Sequence, residues 1–348
     1  MNVPTGPGFV EIDGSHGEGG GQLLRTAVAL SAITGRAVRV KAIRAGRERP
    51  GLQAQHLKGV EAVATLCGAK LHGANLGSTD LMFEPGSIRP QPIRIDVGTA
   101  GAVSLVLQAL VLAAGRAEGK TAVELIGGTH VAWSPPMDYF KEVFCRHLKS
   151  IGVEVEVRIL AHGFYPRGGG RVQVEIEGSD KWRPMESDSP GAVQSIAARS
   201  VASEELRNAR VAERQMEAFK SILPAAVPEE VAYVRSLSTG SAVFGRADCA
   251  SAFLGADSLG KRGVRAEDVG KEAAMKLKAE IDGGASLDMH AADMMIPYLA
   301  LASQPSSFTV REMSDHLTSV QWLVRQFIDV EFESERKGNL HRISVRPR

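Results

Sequence analysis

Residues 13–25 read Asp-Gly-Ser-His-Gly-Glu-Gly-Gly-Gly-Gln-Leu-Leu-Arg. One carboxylate, Glu18, stands among glycines, and Gln22 and Arg25 follow about one helical turn apart. Consecutive glycines let the backbone take positive φ and let another molecule approach the main chain closely. Where such a loop opens a helix, free N–H groups and the positive end of the dipole favour an anion, most often phosphate. The plain alternative is a tight turn with a solvated glutamate.

A second basic cluster lies in Ile43-Arg-Ala-Gly-Arg-Glu-Arg-Pro-Gly-Leu-Gln-Ala-Gln-His56. Arg44 and Arg47 leave the end of a strand, and Pro50-Gly51 turns the chain into a helix that starts with Gln53, Gln55 and His56. Guanidinium groups bind phosphate bidentately, while Gln and His supply neutral donors. Alone, this stretch also reads as a solvated basic loop. A third candidate is His316 in Glu-Met-Ser-Asp-His-Leu-Thr (312–318). Ser314 or Asp315 suits the N-cap, which puts His316 in the first turn of a helix. That position disfavours imidazolium, keeps the ring nucleophilic, and stabilises an anionic phosphorus group attached to it.

His290 and Asp293 open another helix. Asp293 reads either as a helix-surface carboxylate or as a group that grips a nucleotide or metal. Gln108 lies within an apolar helix, either as a satisfied core amide or facing a cleft. Spacing alone gives His162 no role. Gly115-Arg-Ala-Glu-Gly-Lys-Thr121 resembles a phosphate-binding loop one residue short, but it follows a helix and opens a strand, the reverse of what such a loop needs.

The elements that must position these groups recur. Strand, Asp, small-residue loop, apolar helix and strand occur at Val10–Asp13 with Leu23–Ile33 and Ala37–Ile43. They occur again at Ile93–Asp96 with Val103–Ala114 and Thr121–Ile126. The third copy is Ala279–Asp282 with Ala291–Ala302 and Ser307–Arg311. Each copy is followed by an amphipathic helix (Gln53–Leu66, Pro136–Ile151, His316–Phe327) and a hairpin. In this register His316 matches the helix starts near Gln53–His56 and Pro135-Pro136, so three equivalent loops are expected at one rim. Such a unit cannot bury its sheet face alone. The expected fold is therefore α+β: three repeats of a two-helix, four-stranded-sheet unit around a shared core. Asp13 and Asp96 are 83 positions apart but Asp96 and Asp282 are 186 apart, so an extra module lies between the second and third copies. We place it at 183–279 as a small inserted α/β domain, with helices at Ser203–Ile222 and Ala266–Ala279 and strands near Glu230–Arg235 and Ser241–Ala247. The repeats then occupy 1–182 plus 280–348.

The 348 residues carry a net charge of +1 and 44% apolar residues. That balance excludes a disordered chain and argues against binding nucleic acid through bulk charge. No apolar run approaches the length of a membrane span and the N-terminus has no signal pattern, which points to the cytoplasm. Cys67, Cys145 and Cys249 are too scattered for a metal site or a disulfide framework.

Gly-Glu-Gly-Gly-Gly-Gln-Leu-Leu-Arg (17–25), Ile-Arg-Ala-Gly-Arg with Pro-Gly-Leu-Gln-Ala-Gln-His (43–56), His-Gly-Phe-Tyr-Pro-Arg-Gly-Gly-Gly (162–170) and Asp-His-Leu-Thr (315–318) together resemble the RNA 3′-terminal phosphate cyclase family. The resemblance runs over nearly the whole chain, more loosely in the insertion. It implies ATP-dependent conversion of an RNA 3′-phosphate end to a 2′,3′-cyclic phosphate through a histidine–AMP intermediate and an RNA-adenylate, with release of AMP and pyrophosphate. It places the nucleophile on His316 and a Mg²⁺ or Mn²⁺ ligand on Glu18. It places phosphate and nucleotide contacts on Gln22, Arg25, Arg44, Arg47, Gln55, His56, Gln108, His290 and Asp293, with Pro135 and Phe253 as walls for adenine. Implied partners are ATP and RNA with a 3′-phosphate end, without a membrane; a homo-oligomer is compatible. Two positions depart from the pattern: Val320 stands where an Asn is usual, and His290 where a Tyr is common. Two alternatives are a non-catalytic relative acting as a ribosome-maturation scaffold, which would lack the His316 nucleophile, and an enolpyruvyl transferase, which carries six such units.

Overall fold

The computed structural model describes residues 9–348. β1 (Phe9–Asp13) alternates buried and exposed side chains and ends at the glycine loop. α1 (Gly21–Thr34) follows and stops at Gly35, whose φ of 68° suits a residue without Cβ. β2 (Ala37–Lys41), α2 (Ala54–Cys67), β3 (Lys70–His72) and β4 (Leu81–Glu84) complete a sheet ordered β1-β2-β4-β3, with β1 and β2 parallel. Next come β5 (Ile93–Asp96), α3 (Val103–Ala114), β6 (Gly119–Gly127), α4 (residues 137–150, with a π turn at Phe140–Phe144), β7 (Glu154–Ala161) and β8 (Gly170–Gly178). Their sheet is ordered β5-β6-β8-β7, again with a parallel first pair.

β9 (Glu186–Ser187) leads into β10 (Val193–Ser203), α5 (Val211–Ile222), β11 (Val227–Val234), β12 (Ser241–Cys249), β13 (Phe253–Leu259) and α6 (Ala266–Gly283). Here the order is β11-β10-β12-β13. α7 (Met289–Ala300), β14 (Ser306–Val310), α8 (Asp315–Arg325), β15 (Val330–Lys337) and β16 (Leu340–Pro347) finish the chain, in a sheet ordered β15-β16-β14-β9. The architecture is thus mixed α/β, with four small sheets that each combine parallel and antiparallel pairs.

The apolar sequence of α3 suits its place. Most of its residues are buried, because it packs against α1, α2 and α7. One core joins side chains from the first, second and last sheets, including Ile12, Phe83, Leu125, Val174, Phe308 and Ile343. A separate apolar cluster, with Phe219, Val243, Leu254 and Leu277, lies between the β11-β10-β12-β13 sheet and the helices α5 and α6. No helix among the described residues is long and apolar enough to cross a membrane.

Two expectations are corrected. Ala279–Asp282 is not a strand but the last turn of α6. The stretch before it, Lys-Glu-Ala-Ala-Met-Lys-Leu-Lys-Ala, is rich in strong helix formers, and Glu280 is held by Arg311 at 2.7 Å. The parallel neighbour of β14 is β9 instead, with Ser307 beside Glu186 and Phe308 beside Ser187. The helix expected from Ser203 begins only at Val211, because Val193–Ser203 pairs on both sides as β10.

Candidate active site

The loops that follow the parallel strands touch one another in series. After β1, Gly17 takes φ 59° and lies so close to α8 that a Cβ there would stand 2.1 Å from Ser319 Oγ. Ser319 Oγ accepts from Glu18 N at 3.4 Å, and the His16 ring stacks on Trp322 at 3.8 Å, so α8 holds the glycine loop at three successive residues. After β2, Arg47 forms an ion pair with Glu18 Oε1. His56 lays its ring on Gly21, where a Cβ would come within 2.3 Å of Nε2. After β5, Ala102 N donates to Gln55 Oε1 at 2.8 Å, and Ala102 bridges to Gly128 after β6.

His316 stands at the centre of this series. Ser314 is the N-cap of α8 and accepts from Leu317 N at 2.9 Å, which fixes the first turn. The His316 Nδ1 lies 2.9 Å from Gln22 Oε1 and 2.6 Å from Glu18 Oε2. The amide oxygen of Gln22 can only accept, so the proton belongs on Nδ1, and the Nε2 lone pair is left to attack an electrophile. Burial lowers the His316 pKa from its ordinary 6.5; Arg25 and Arg47 act in the same direction and Asp293 opposes them. The ring is therefore neutral at neutral pH, as a nucleophile requires.

Behind it, Gln22, Arg25, Gln108, Asp293 and Tyr298 line a narrow cleft. Ser314 Oγ donates to Asp293 Oδ1 at 2.8 Å. Burial raises the Asp293 carboxyl to about 6, against the pull of Ser314, His316 and Arg25. Burial also lowers Arg25 to about 10, still a cation at neutral pH. His56 is held neutral, its pKa lowered to about 3 by burial and by Arg44 and Arg25. Its Nδ1 accepts from Gln53 N at 3.2 Å, so its proton sits on Nε2 as a neutral donor.

Other expected contact residues also make bonds within the chain. Arg44 Nη1 donates to the carbonyls of Arg49 and Gly51, at 2.5 and 2.9 Å, and so braces its own loop. Pro135 O accepts from Ser104 Oγ at 2.7 Å, which ties the loop before α4 to the start of α3. Phe253 opens β13 with one face 3.8 Å under the Arg146 guanidinium, while its carbonyl lies 2.8 Å from His147 Nε2. His290 sits edge-on to Tyr139, with ring centroids 5.8 Å apart. Tyr139 donates to Asp288, which also accepts from Gly255 N at 3.0 Å. Phe253 and His290 thus belong to a wall where β13 meets the start of α7.

A family model described as RNA 3′-terminal phosphate cyclase matches residues 16–334. The chain belongs to the RNA 3′-terminal phosphate cyclase family. Curated cyclases match over nearly their whole length. The RNA 3′-terminal phosphate cyclase of Methanopyrus kandleri is 42% identical over 97% of this chain and 99% of its own, and that of Pyrobaculum neutrophilum is 43% identical over 97% and 98%. The cyclase of Archaeoglobus fulgidus is 41% identical over 94% and 99%. Among solved structures, the enolpyruvyl transferase NikO of Streptomyces tendae overlays on 97% of this chain and 81% of its own, with a TM-score of 0.22 at 10% identity. That likeness is too distant to bear on the fold.

Within the cyclase chain, Val320 is 1% exposed and packs in the shared core, so this departure changes packing rather than the open face of the site. Ser319, Trp322 and His16 were not foreseen as site-forming residues, because their contacts join segments some 300 positions apart in sequence. Only the Ser314 N-cap had a local signal.

No group of three or more His, Cys, Asp or Glu side chains among the described residues is arranged to hold a metal alone. Glu18 Oε2 nevertheless fits a cation. It is buried without an aligned donor, since the Nδ1 proton of His316 points to Gln22. Magnesium commonly takes one or two carboxylates and draws its other ligands from water and phosphate.

Proposed function

We propose that the protein is an ATP-dependent RNA 3′-phosphate cyclase with His316 as its nucleophile. The observation that carries this reading is the orientation of His316, with Nδ1 bonded to Gln22 beside the Glu18 carboxylate and Nε2 left free near two arginines. Nε2 attacks the α-phosphorus of ATP; an N–P bond forms, the bond to pyrophosphate breaks, and pyrophosphate leaves. An oxygen of the RNA 3′-phosphate then takes the adenylyl group, which breaks the N–P bond and returns the histidine. The neighbouring 2′-hydroxyl loses its proton and closes on the 3′-phosphorus, expelling AMP. Adenylation converts a poor leaving group into a good one. The first-turn N–H groups of α8, with Arg25 and Arg47, offset the charge on phosphorus. Glu18 would hold a Mg²⁺ or Mn²⁺ ion, which supplies further charge neutralisation when bound. Gln108 and Asp293 orient the nucleotide from the cleft, and His56 donates to phosphate.

The fold reading that goes with this function is three units of two helices and four strands, one for each sheet of the shared core, with α1 and α3 spanning the first two parallel pairs. In this reading the inserted α/β domain, expected at 183–279, interrupts the third unit between β9 and α7. The cytoplasm suits an ATP-dependent enzyme of this composition.

Incubation with α-labelled ATP and Mg²⁺ tests the reading. Wild type should carry acid-labile, base-stable label that RNA ending in a 3′-phosphate discharges, and His316→Ala should carry none. Label that persists in the variant, or a folded wild type that takes none, would overturn it.

A further inference from the structure

We propose that Trp133 is a stacking platform for the RNA strand that leads to the reacting 3′ end, with Tyr165 and Arg167 on the loop bonded to its own; this rests on the cyclase reading. Trp133 is 97% exposed, and its φ of 64° lies in the left-handed region that side chains with a Cβ disfavour. A bare indole on strained backbone gains nothing from burial within this chain. The loop is not slack, however. Ser134 Oγ donates to Val131 O at 3.0 Å, Ser104 Oγ to Pro135 O at 2.7 Å, and Met137 N to Thr129 O at 3.0 Å. The ring is held outward on a fixed support.

A second loop is laced to this one. Gly163 N donates to Thr129 Oγ1 at 2.8 Å, and Gly163 O accepts from Thr129 N and His130 N at 2.9 and 3.1 Å. It carries Tyr165, 75% exposed, and the exposed Arg167, whose N–H is fastened to Ser238 Oγ at 3.0 Å. Open aromatic faces and a cation on two linked loops match single-stranded nucleic acid, because every base has a π-face and arginine answers the phosphates. The place is also right. Pro135 is tied to the start of α3, where Ala102 is held by Gln55, the neighbour of the His56 ring that covers Gly21. The platform therefore belongs to the series of loops that carries His316.

Of the three tryptophans, Trp182 is buried and Trp322 is stacked on His16, so exposed indole emission reports Trp133. An RNA oligonucleotide ending in a 3′-phosphate should quench that emission in wild type and not in Trp133→Ala. In cyclisation, Trp133→Ala should raise the KM for the oligonucleotide about 5- to 150-fold, the range for one lost base stack, with kcat little changed. Trp133→Phe should restore most of the affinity, and self-adenylation by ATP without RNA checks that each variant is folded. Equal KM values for Trp133→Ala and wild type, or quenching by ATP alone, would overturn the platform. If wild type shows no cyclisation, the cyclase reading fails, and the RNA titration of Trp133 emission still decides the platform: absence of quenching rejects it.

Discussion

Gly21→Ala separates local helix propensity from the packing of the site. Gly21 is the first residue of α1, and its φ is not in the left-handed region, so propensity alone favours Ala there by up to about 1 kcal/mol. The structure reverses that sign. A Cβ on Gly21 would meet His56 Nε2 at 2.3 Å, Cδ2 at 2.6 Å and Cε1 at 3.4 Å, and those ring atoms are its three nearest neighbours. Ordinary contact needs about 3.5 Å, so the imidazole must retreat by about 1 Å. The ring is pinned on its other side, where Nδ1 accepts from Gln53 N and so joins the N-terminal cap of α2. Overpacking of this kind costs about 1–3 kcal/mol. If His56 contacts phosphate as proposed, a misplacement of about 1 Å costs roughly 100-fold in rate. Urea denaturation should therefore show Gly21→Ala less stable than wild type, and the label taken from ATP should form far more slowly. The double variant Gly21→Ala with His56→Ala removes the obstruction, so adding Gly21→Ala to the His56→Ala background should be neutral or stabilising. A stable, fully active Gly21→Ala, or the same destabilisation with and without the imidazole, would refute the arrangement of His56 over the glycine loop.

Two further outcomes follow from the buried polar groups. Burial raises the Asp293 carboxyl from 3.8 to about 6, so this group favours the fold in acid, below about 4, and the contribution is lost as pH rises through about 6. Asp293→Asn has no such dependence; the stability of wild type relative to the variant should fall between pH 4 and 7 by at most about 3 kcal/mol, and a pH-independent difference in urea denaturation would refute this. Gln55→Ala removes the acceptor for Ala102 N at the start of α3, which should cost about 1–3 kcal/mol in the same assay, whereas an unchanged midpoint would show that Gln55 is no cap.

The sheet-forming stretches and apolar helices of the shared core were legible because burial imposes a period. Ile93–Asp96 alternates as a strand must, and Val103–Ala114 is apolar all round because α3 is covered nearly all round. Ala279–Asp282 misled because Glu-Ile-Asp resembles the strand ends at Asp13 and Asp96, and only the preceding run of helix formers shows that α6 continues through it. β9 is two residues long and has no period to read. In the site, Glu18, Gln22 and His316 were legible as residue types, yet their convergence depends on Ser319 and Trp322, whose partners lie at the other end of the chain. Arg44 shows another limit: its charge suggested a phosphate contact, and nothing in the sequence shows that its Nη1 also donates to two carbonyls of its own loop.

The charge pairing at the site explains how a chain of net charge +1 can receive two polyanions. Arg25 lies in the cleft near Asp293, and burial makes that environment hard to rearrange, so Arg25 acts as a fixed part of the wall. Arg47 differs: its side chain is 41% exposed and its partner is Glu18. Exposed ion pairs are worth only about 0–1 kcal/mol. An incoming triphosphate carries several times the charge of one carboxylate and can draw Arg47 away at little cost. The half-exposed Arg47 can thus reorient toward a polyanion, while Gln22 and the Ser314 cap hold the His316 side chain in place.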